Sequence, residues 1–487
     1  MTTQKTSTPN DAVAALGKIV GDANVITDQQ SLQKSSVDRF KKYTALHGIY
    51  DGPFPLAVVK AHSTEKISQV LSWCNEHGIK VIPRTGRTST EGGLEVVVEQ
   101  TIILDGSGLD KIIAIDPINM QATAQCGVPL EILEEQCRAQ GLTIGHSPQS
   151  KPVAQMGGLV STRSIGQLST LYGAIEDMVT GLEAVFPDGT ITRIKDVPRR
   201  AAGPDIRHVI IGNEGTLCFI TEVTVKLHKY TPETTRFAGF LIDDMADGLN
   251  VLRQVITDGY RPAVCRVYSP EDARQHWQWS ENKCVLVFSA EGPQPLADAT
   301  IAHAIAVSEA AGARSVDPDL IAQWFANLNW GLDKIEAEKE WMRQHANLGF
   351  TTEISANWSV VVDIYHSTIE RIRREFPHAS DLTMLGAHSS HSYMSGTNLY
   401  FVYDYTVSCE PREEIHEYHI PLNAIIVEEA LKRGGSMVHH HGIGKYRTPW
   451  TREEHGSAYY LLEGLKHQFD PNNTMNPGSI FPLDSEQ

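Results

Sequence analysis

Residues 56–93 constrain the fold of this chain more than any other stretch. The apolar run Leu56–Val59 reads as a strand, Ser63-Thr64-Glu65 as a helix start, and Ile67, Val70, Leu71 and Cys74 fall at i, i+3, i+4 and i+7 on one helical face. Gly78 ends that helix and Lys80–Pro83 reads as the next strand. This strand–helix–strand unit empties into Arg84-Thr85-Gly86-Arg87-Thr88-Ser89-Thr90-Glu91-Gly92-Gly93, a loop whose backbone amides suit a pyrophosphate. A surface turn has the same composition, so the loop alone decides nothing. It is neither a Gly-Lys-Ser/Thr phosphate loop nor GxGxxG.

A second such unit is expected from strands near Ile102–Leu104 and Ile112–Ile115, with a helix opened by Pro129 and closed by Gly141. Residues 152–230 are rich in Gly and small side chains and finish in the strand-like Phe219–Leu227. Lys229–Glu233 reads as a domain boundary. Beyond it come alternating strands (Ala263–Tyr268, Cys284–Phe288, Asn398–Val407) and longer helices near 296–312, 359–375 and 421–433. That pattern predicts an antiparallel sheet with helices on one side, and an α+β class for the whole chain.

The chain has 487 residues, too many for one compact core, so two or three domains are expected. Its net charge of −17 argues against a nucleic-acid or anionic-membrane partner. Seven cysteines (Cys74, Cys126, Cys137, Cys218, Cys265, Cys284, Cys409) are scattered without a CxxC pair and read as reduced thiols. No basic-then-apolar leader opens the sequence and no apolar run is long enough to span a bilayer, so a cytoplasmic location without an integral membrane segment is expected.

Further motifs follow the first loop in order: Gly145-His146-Ser147-Pro148-Gln149-Ser150, Gly157-Gly158-Leu159-Val160-Ser161-Thr162-Arg163, Tyr172–Asp177, Gly203-Pro204-Asp205 and Gly212-Asn213-Glu214-Gly215-Thr216-Leu217. Together they resemble the FAD-binding domain of the vanillyl-alcohol oxidase and p-cresol methylhydroxylase (PCMH) superfamily over about residues 52–232. Ser161-Thr162-Arg163, Gly203-Pro204-Asp205-Ile206 and His439-His440-His441-Gly442-Ile443-Gly444-Lys445 extend the similarity to alkyldihydroxyacetonephosphate synthases, the ether-lipid enzymes. The run Gly145–Gly189 is closer still to a group of bacterial FAD-linked oxidoreductases.

The resemblance implies a helical segment at 1–51, a PCMH-type two-subdomain FAD-binding domain at 52–232 and a substrate cap at 233–487, whose tail 434–487 returns to the flavin. It assigns flavin contacts to Pro83, Arg84, Thr85, Gly86, Arg87, Thr88 and Ser89, to Pro148, Gln149, Ser150 and Ala154, to Gly157, Gly158, Ser161, Thr162, Arg163 and Ser164, and to Glu214, Gly215, Thr216 and Ile220. Where the ether-lipid enzymes carry three glycines, this chain has Thr85, Gly86 and Arg87. Either a side chain points away from the pyrophosphate there or Arg87 contacts it. No histidine stands where some relatives attach flavin covalently, so a dissociable FAD is expected.

Tyr400 matches the essential tyrosine of the ether-lipid enzyme and Arg199 an active-site arginine; other arginines of that enzyme fall on His388 and Lys339. An isolated strand tyrosine is more often a core aromatic, but the histidine run downstream favours a catalytic role. His439, His440 and His441 are hard to bury unpaired next to Gly442 and read as active-site groups. The competing readings are a structural basic patch and a metal site in which His388 and His391 add ligands to the run. Related 2-hydroxy-acid dehydrogenases hold a metal with a histidine pair and a glutamate, and those places here look like Tyr400 and His440. The missing ligands argue against a bound metal.

The expected chemistry is hydride transfer from a hydroxyl-bearing carbon of a small polar, anionic or phosphorylated substrate to flavin N5. Tyr400 would share or take the hydroxyl proton with His440 or His441, and Arg199 would steady the anion. The alternative is a transferase of the ether-lipid type, using FAD without net redox. A homodimer and a separate electron acceptor are the expected partners.

Overall fold

In the computed structural model, which describes residues 8–483, the first strand–helix–strand unit forms as read. Its helix is Thr64–His77, capped by the Ser63 hydroxyl accepting from the Lys66 amide and ended by Gly78. Ile67, Val70, Leu71 and Cys74 are fully buried. At roughly 1.5–3 kcal/mol for each large apolar side chain, that stripe fixes which way the helix faces. It packs between two sheets, sharing one core with Val59, Val81 and Leu104 on one side and Val185 and Phe219 on the other.

The first sheet has four strands. Val58–Lys60, Thr101–Asp105 and Lys80–Arg84 lie parallel, and Val25–Ile26 pairs antiparallel at the edge. The N-terminal segment, expected to be helical, thus also contributes a strand. The second sheet is antiparallel, in the order Ile112–Asp116, Gln121–Gln125, Phe219–Lys226, Val179–Val185 and Ile191–Ile194. The expected second strand–helix–strand unit does not exist. Thr101–Asp105 completes the first sheet, while Ile112–Asp116 turns back on Gln121–Gln125 as a hairpin. The helix after it, Leu130–Arg138, covers the outer face of the second sheet, with Pro129 at its cap.

The C-terminal half is built on a seven-stranded antiparallel sheet, ordered Arg314–Val316, Arg236–Ile242, Cys284–Ala290, Val264–Tyr268, Leu382–Ser389, Gly396–Thr406 and Asn347–Asn357. Side chains alternate between the faces of a strand. Cys265, Val267, Ala387, Leu399, Phe401, Phe350 and Ile354 turn to the helices Met245–Thr257, Gln294–Ala310, Val361–Glu375 and Ile420–Lys432. The opposite face is not bare of helices, as the sequence pattern suggested. Pro270–His276 and Pro318–Ala326 lie there, and Leu168 of the N-terminal half joins their core. This second face is where the two halves of the chain meet.

The segment after residue 434 returns to the N-terminal half. Val81 donates to the Thr474 carbonyl and accepts from Asn476, both at 2.8 Å, and Lys445 donates its amide to Glu91 O at 2.8 Å. No helix among the described residues is long and apolar enough to cross a membrane.

Candidate active site

The period of two along the strands puts Tyr268, His388, Tyr400 and Glu353 on the inner face. Their register aligns them in one row: Tyr268 opposite His388, His388 opposite Tyr400, and Tyr400 opposite Glu353. Facing this row across a cavity are the first loop, the segment 148–164 and Glu214–Gly215. Of the expected cofactor residues, Pro83 through Ser89, Pro148, Gln149, Ser150, Gly157, Gly158, Ser161, Thr162, Ser164, Glu214, Gly215 and Ile220 line the cavity. Three do not. Ala154 is buried in the core, Arg163 turns outward to Glu176 at 2.9 Å, and the Thr216 hydroxyl is bonded to Asn213 O at 2.7 Å.

Arg87 stands in the left-handed region at φ 61° and its guanidinium donates to Lys34 O at 3.0 Å. The side chain therefore leaves the loop, and the backbone at 85–87 stays free to approach a ligand. At Gly86 a Cβ would lie 2.8 Å from both Gln155 N and Val153 O, so only glycine fits between the two loops. Arg84 Nη1 and Gln155 Oε1 are buried without hydrogen-bond partners, on residues that line the cavity. Orphaned buried polar atoms of both signs are costly unless a polar ligand meets them. These features fit FAD, with its anionic pyrophosphate and its hydrogen-bonding ring.

The histidine run is held from below by two carboxylates, one fully buried and one half-buried. Glu353, fully buried, accepts the backbone amides of His439, His440 and His441. Glu214 accepts those of Ile443 and Gly444, both at 2.7 Å. Gly442, at φ 85°, lets the chain pass so close to Glu214 that a Cβ would sit 2.8 Å from its oxygen. Arg447, fully buried, pairs with Glu353 at 3.2 Å and with Glu91 of the first loop at 2.9 Å, tying cap, tail and cofactor loop together.

This scaffold brings His441 Nε2 to 3.0 Å from the Tyr400 hydroxyl, to which Thr351 also donates at 3.1 Å. Burial pushes the Tyr400 phenol up to about 12, outweighing the Thr351 bond, so it is protonated at neutral pH. His440 lines the same cavity, and burial holds its imidazole neutral, far below its ordinary range. His439 sits one layer back, bonded to the Tyr393 hydroxyl at 2.8 Å and to His440 Nδ1 at 2.9 Å. His391, His439 and His440 each bring a ring nitrogen within 4.8 Å of the others. His391 is bonded to Ser169 at 2.7 Å and stacks on His439, while His439 joins Tyr393 to His440; the nearest carboxylate to this group among the described residues, Glu353, stands 3.7 Å from His440 Nδ1.

Arg199 lies exposed on the stretch before Gly203 and does not line the cavity. On the inner face of the C-terminal sheet the cavity is lined by Arg266, 3% exposed. Its hydrogen-bond partners are neutral, Gln167 Oε1 and the Tyr268 hydroxyl, and its Nε has none. Sequence reasoning passed over it, although a lone charge inside the apolar strand Val264-Cys265-Arg266-Val267-Tyr268 was a signal. Asp272, Glu353 and Arg447 were missed as well. Lys339 is on the surface, paired with Glu336.

Residues 55–195 match the FAD binding domain and residues 231–480 the C-terminal domain of FAD-linked oxidases. The fold is also that of solved PCMH-type structures. An alkyldihydroxyacetonephosphate synthase superposes with a TM-score of 0.78 at 22% identity, covering 97% of this chain and 86% of its own. p-Cresol methylhydroxylase does so at 0.75 and 18%, covering 98% and 97%. The chain belongs to the FAD-linked oxidases and is an FAD-dependent oxidoreductase. It is 60% identical over 476 residues to the FAD-linked oxidoreductase YgcU of Escherichia coli (strain K12), covering 97% of this chain and 98% of the relative. Two more distant relatives are the alkyldihydroxyacetonephosphate synthase of Dictyostelium discoideum (26%, covering 89% and 74%) and the D-lactate dehydrogenase [cytochrome] 1 of Saccharomyces cerevisiae (27%, covering 89% and 73%).

Proposed function

We propose that this enzyme oxidises a small anion bearing a hydroxyl group, using a dissociable FAD. The observation that supports this most is Arg266. A guanidinium removed from water without a carboxylate partner is strongly unfavourable, and an anionic substrate in the cavity would offset that cost. Arg266 takes the role expected of Arg199, two residues along its strand from the row that carries His388 and Tyr400. Lactate, the substrate in the yeast relative's name, is an anion of this kind.

Bound FAD supplies a two-electron, hydride-accepting oxidant. The first loop, Gln149–Ser150, Gly157–Gly158 and Glu214–Gly215 would hold it against the sheet. Tyr400 keeps its proton and presents a hydrogen bond to the substrate oxygen, with His441 orienting the phenol. The packed aromatic row of Tyr268, His388 and Tyr400 shields the reacting carbon from water on the cap side.

Anaerobic mixing of the holoenzyme with D-lactate, glycolate and larger 2-hydroxycarboxylates tests the reading. Bleaching of the visible flavin band is expected with at least one of them, and Arg266→Met should raise the concentration needed by about 10²-fold or more, as for a buried charge pair losing one partner. A flavin that no hydroxy acid bleaches would favour the transferase chemistry of the synthase relatives.

A further inference from the structure

We infer that His388, aligned by Asp272, is the proton acceptor of this active site. The inference rests on the proposed oxidation of a hydroxyl-bearing anion and assigns where the hydroxyl proton goes. His388 Nδ1 donates to Asp272 Oδ2 at 2.6 Å, and the carboxylate is 1% exposed. That bond fixes the tautomer: Nδ1 carries the hydrogen and Nε2 keeps its lone pair. Nε2 has no protein partner among the described residues, and the ring lines the cavity between Tyr268 and Tyr400, with both ring centroids 4.8 Å away. The side chain is 12% exposed and lines the cavity, so the unpaired nitrogen belongs to the site and not to the core.

The backbone is shaped to make the pair. Asp272 sits in the first turn of the helix Pro270–His276, which presses onto the strand Leu382–Ser389. A Cβ on Gly386 would fall 2.8 Å from Asp272 N and 2.9 Å from Ser269 Oγ, so the approach exists only because residue 386 has no side chain. Around His388 stand Asp272, His276, Arg266, Tyr268 and Tyr400. Burial would raise the Asp272 carboxyl, but His388 and His276 outweigh it and hold the group well below the usual carboxylate range. Burial lowers His388 itself, with Asp272 opposing, so at neutral pH the pair is a carboxylate beside a neutral imidazole.

This division of labour differs from one in which Tyr400 takes the proton. A phenol held at about 12 keeps its hydrogen and donates it in a hydrogen bond, whereas the imidazole is ready to accept. In the step, the O–H bond breaks and its proton goes to His388 Nε2. The hydrogen on the same carbon leaves with its electron pair for the FAD of the proposed reaction, and the C–O bond becomes C=O. The alcohol is oxidised by two electrons, and the new imidazolium is stabilised by Asp272.

The tautomer can be read without substrate, in holoenzyme labelled with ¹⁵N-histidine and assigned against His388→Gln. An Nδ1–H, Nε2-unprotonated ring at neutral pH is expected, collapsing to a tautomer mixture in Asp272→Asn. An Nε2–H ring, or an imidazolium, overturns the inference. In anaerobic flavin reduction by the hydroxy acid that bleaches the wild type, His388→Gln should keep FAD content and substrate affinity. Its reduction rate should fall by about 10²–10⁴, the loss typical of a missing general base. Asp272→Asn should lower the rate and move the acid limb of its pH profile to lower pH, a shift that a merely structural defect would not give. Full-rate reduction in His388→Gln refutes the assignment. A wild-type flavin that no hydroxy acid reduces refutes the proposed function instead, and the tautomer still decides the state of the dyad.

Discussion

Glu353→Gln changes one oxygen to an NH2 group and almost no volume, yet it strikes the joint beneath the histidine loop. In the native protein Oε2 accepts from the amides of His439 and His440, while Oε1 accepts from that of His441 and pairs with Arg447. However the glutamine amide turns, its NH2 faces two donors where an oxygen stood. If it replaces Oε1, the His441 amide and one Arg447 contact are orphaned; if it replaces Oε2, those of His439 and His440 are. Two buried donors left unsatisfied cost about 1–3 kcal/mol each, and a buried ion pair broken on one side about 3–5 kcal/mol. A loss of about 3–5 kcal/mol is therefore expected from urea unfolding of the holoenzyme. The His441–Tyr400 contact should loosen in the variant's crystal structure. A change below about 1 kcal/mol would show that the carboxylate does not organise the loop, because surface substitutions alone stay near that range.

Heat or acid should release FAD into the supernatant; flavin remaining on the precipitated polypeptide would refute dissociable binding. Gly86→Ala should abolish or sharply weaken FAD retention, since its Cβ meets the backbone of Val153 and Gln155, and a yellow variant with normal flavin content would refute the cradle. Tyr400→Phe should retain FAD and slow flavin reduction by about 10²–10³, the loss expected for one preorganised donor to the reacting oxygen; unchanged reduction would make it a core aromatic. A chelator should leave the reduction rate unchanged, because His391 is bonded to Ser169 and His439 to Tyr393 and His440; a loss restored by added metal would refute this. Burial pushes His439 down to about 4 from an ordinary 6.5, so between those values the unfolded chain binds the extra proton and stability falls as pH drops. Urea midpoints flat or rising with acidification across that window would contradict the burial of this histidine.

What the sequence makes legible is local. The helix Thr64–His77 is readable because its cap, its apolar stripe and its terminating glycine all lie within fifteen residues or so of one another. The strand Ile112–Asp116 was misassigned because a strand's neighbour is a non-local fact, and an antiparallel hairpin and a crossover begin with the same apolar run. The same limit applies to the site. Tyr400 and the histidine run were identified through family resemblance, but Asp272 is 116 residues from His388 in sequence. Only the register of four strands and the glycine at 386 bring these together. Arg199 shows the converse, a residue matched by resemblance that stands exposed outside any strand, while Arg266, on the strand Val264–Tyr268, lines the cavity.

The threading of the tail through the first half bears on how the chain is made. Glu91 is buried and Glu214 half-buried near the cofactor loops, and their partners are Arg447, Ile443 and Gly444; Val81, on the edge strand of the first sheet, is paired with Thr474 and Asn476. During synthesis the first 230 residues leave the ribosome long before any of these partners exists. The nascent N-terminal half must therefore wait with two carboxylates still hydrated and one strand edge open. Its cofactor cleft acquires its final walls only when the last fifty residues arrive, which makes FAD capture a late, whole-chain event rather than a property of the half that carries the binding loops.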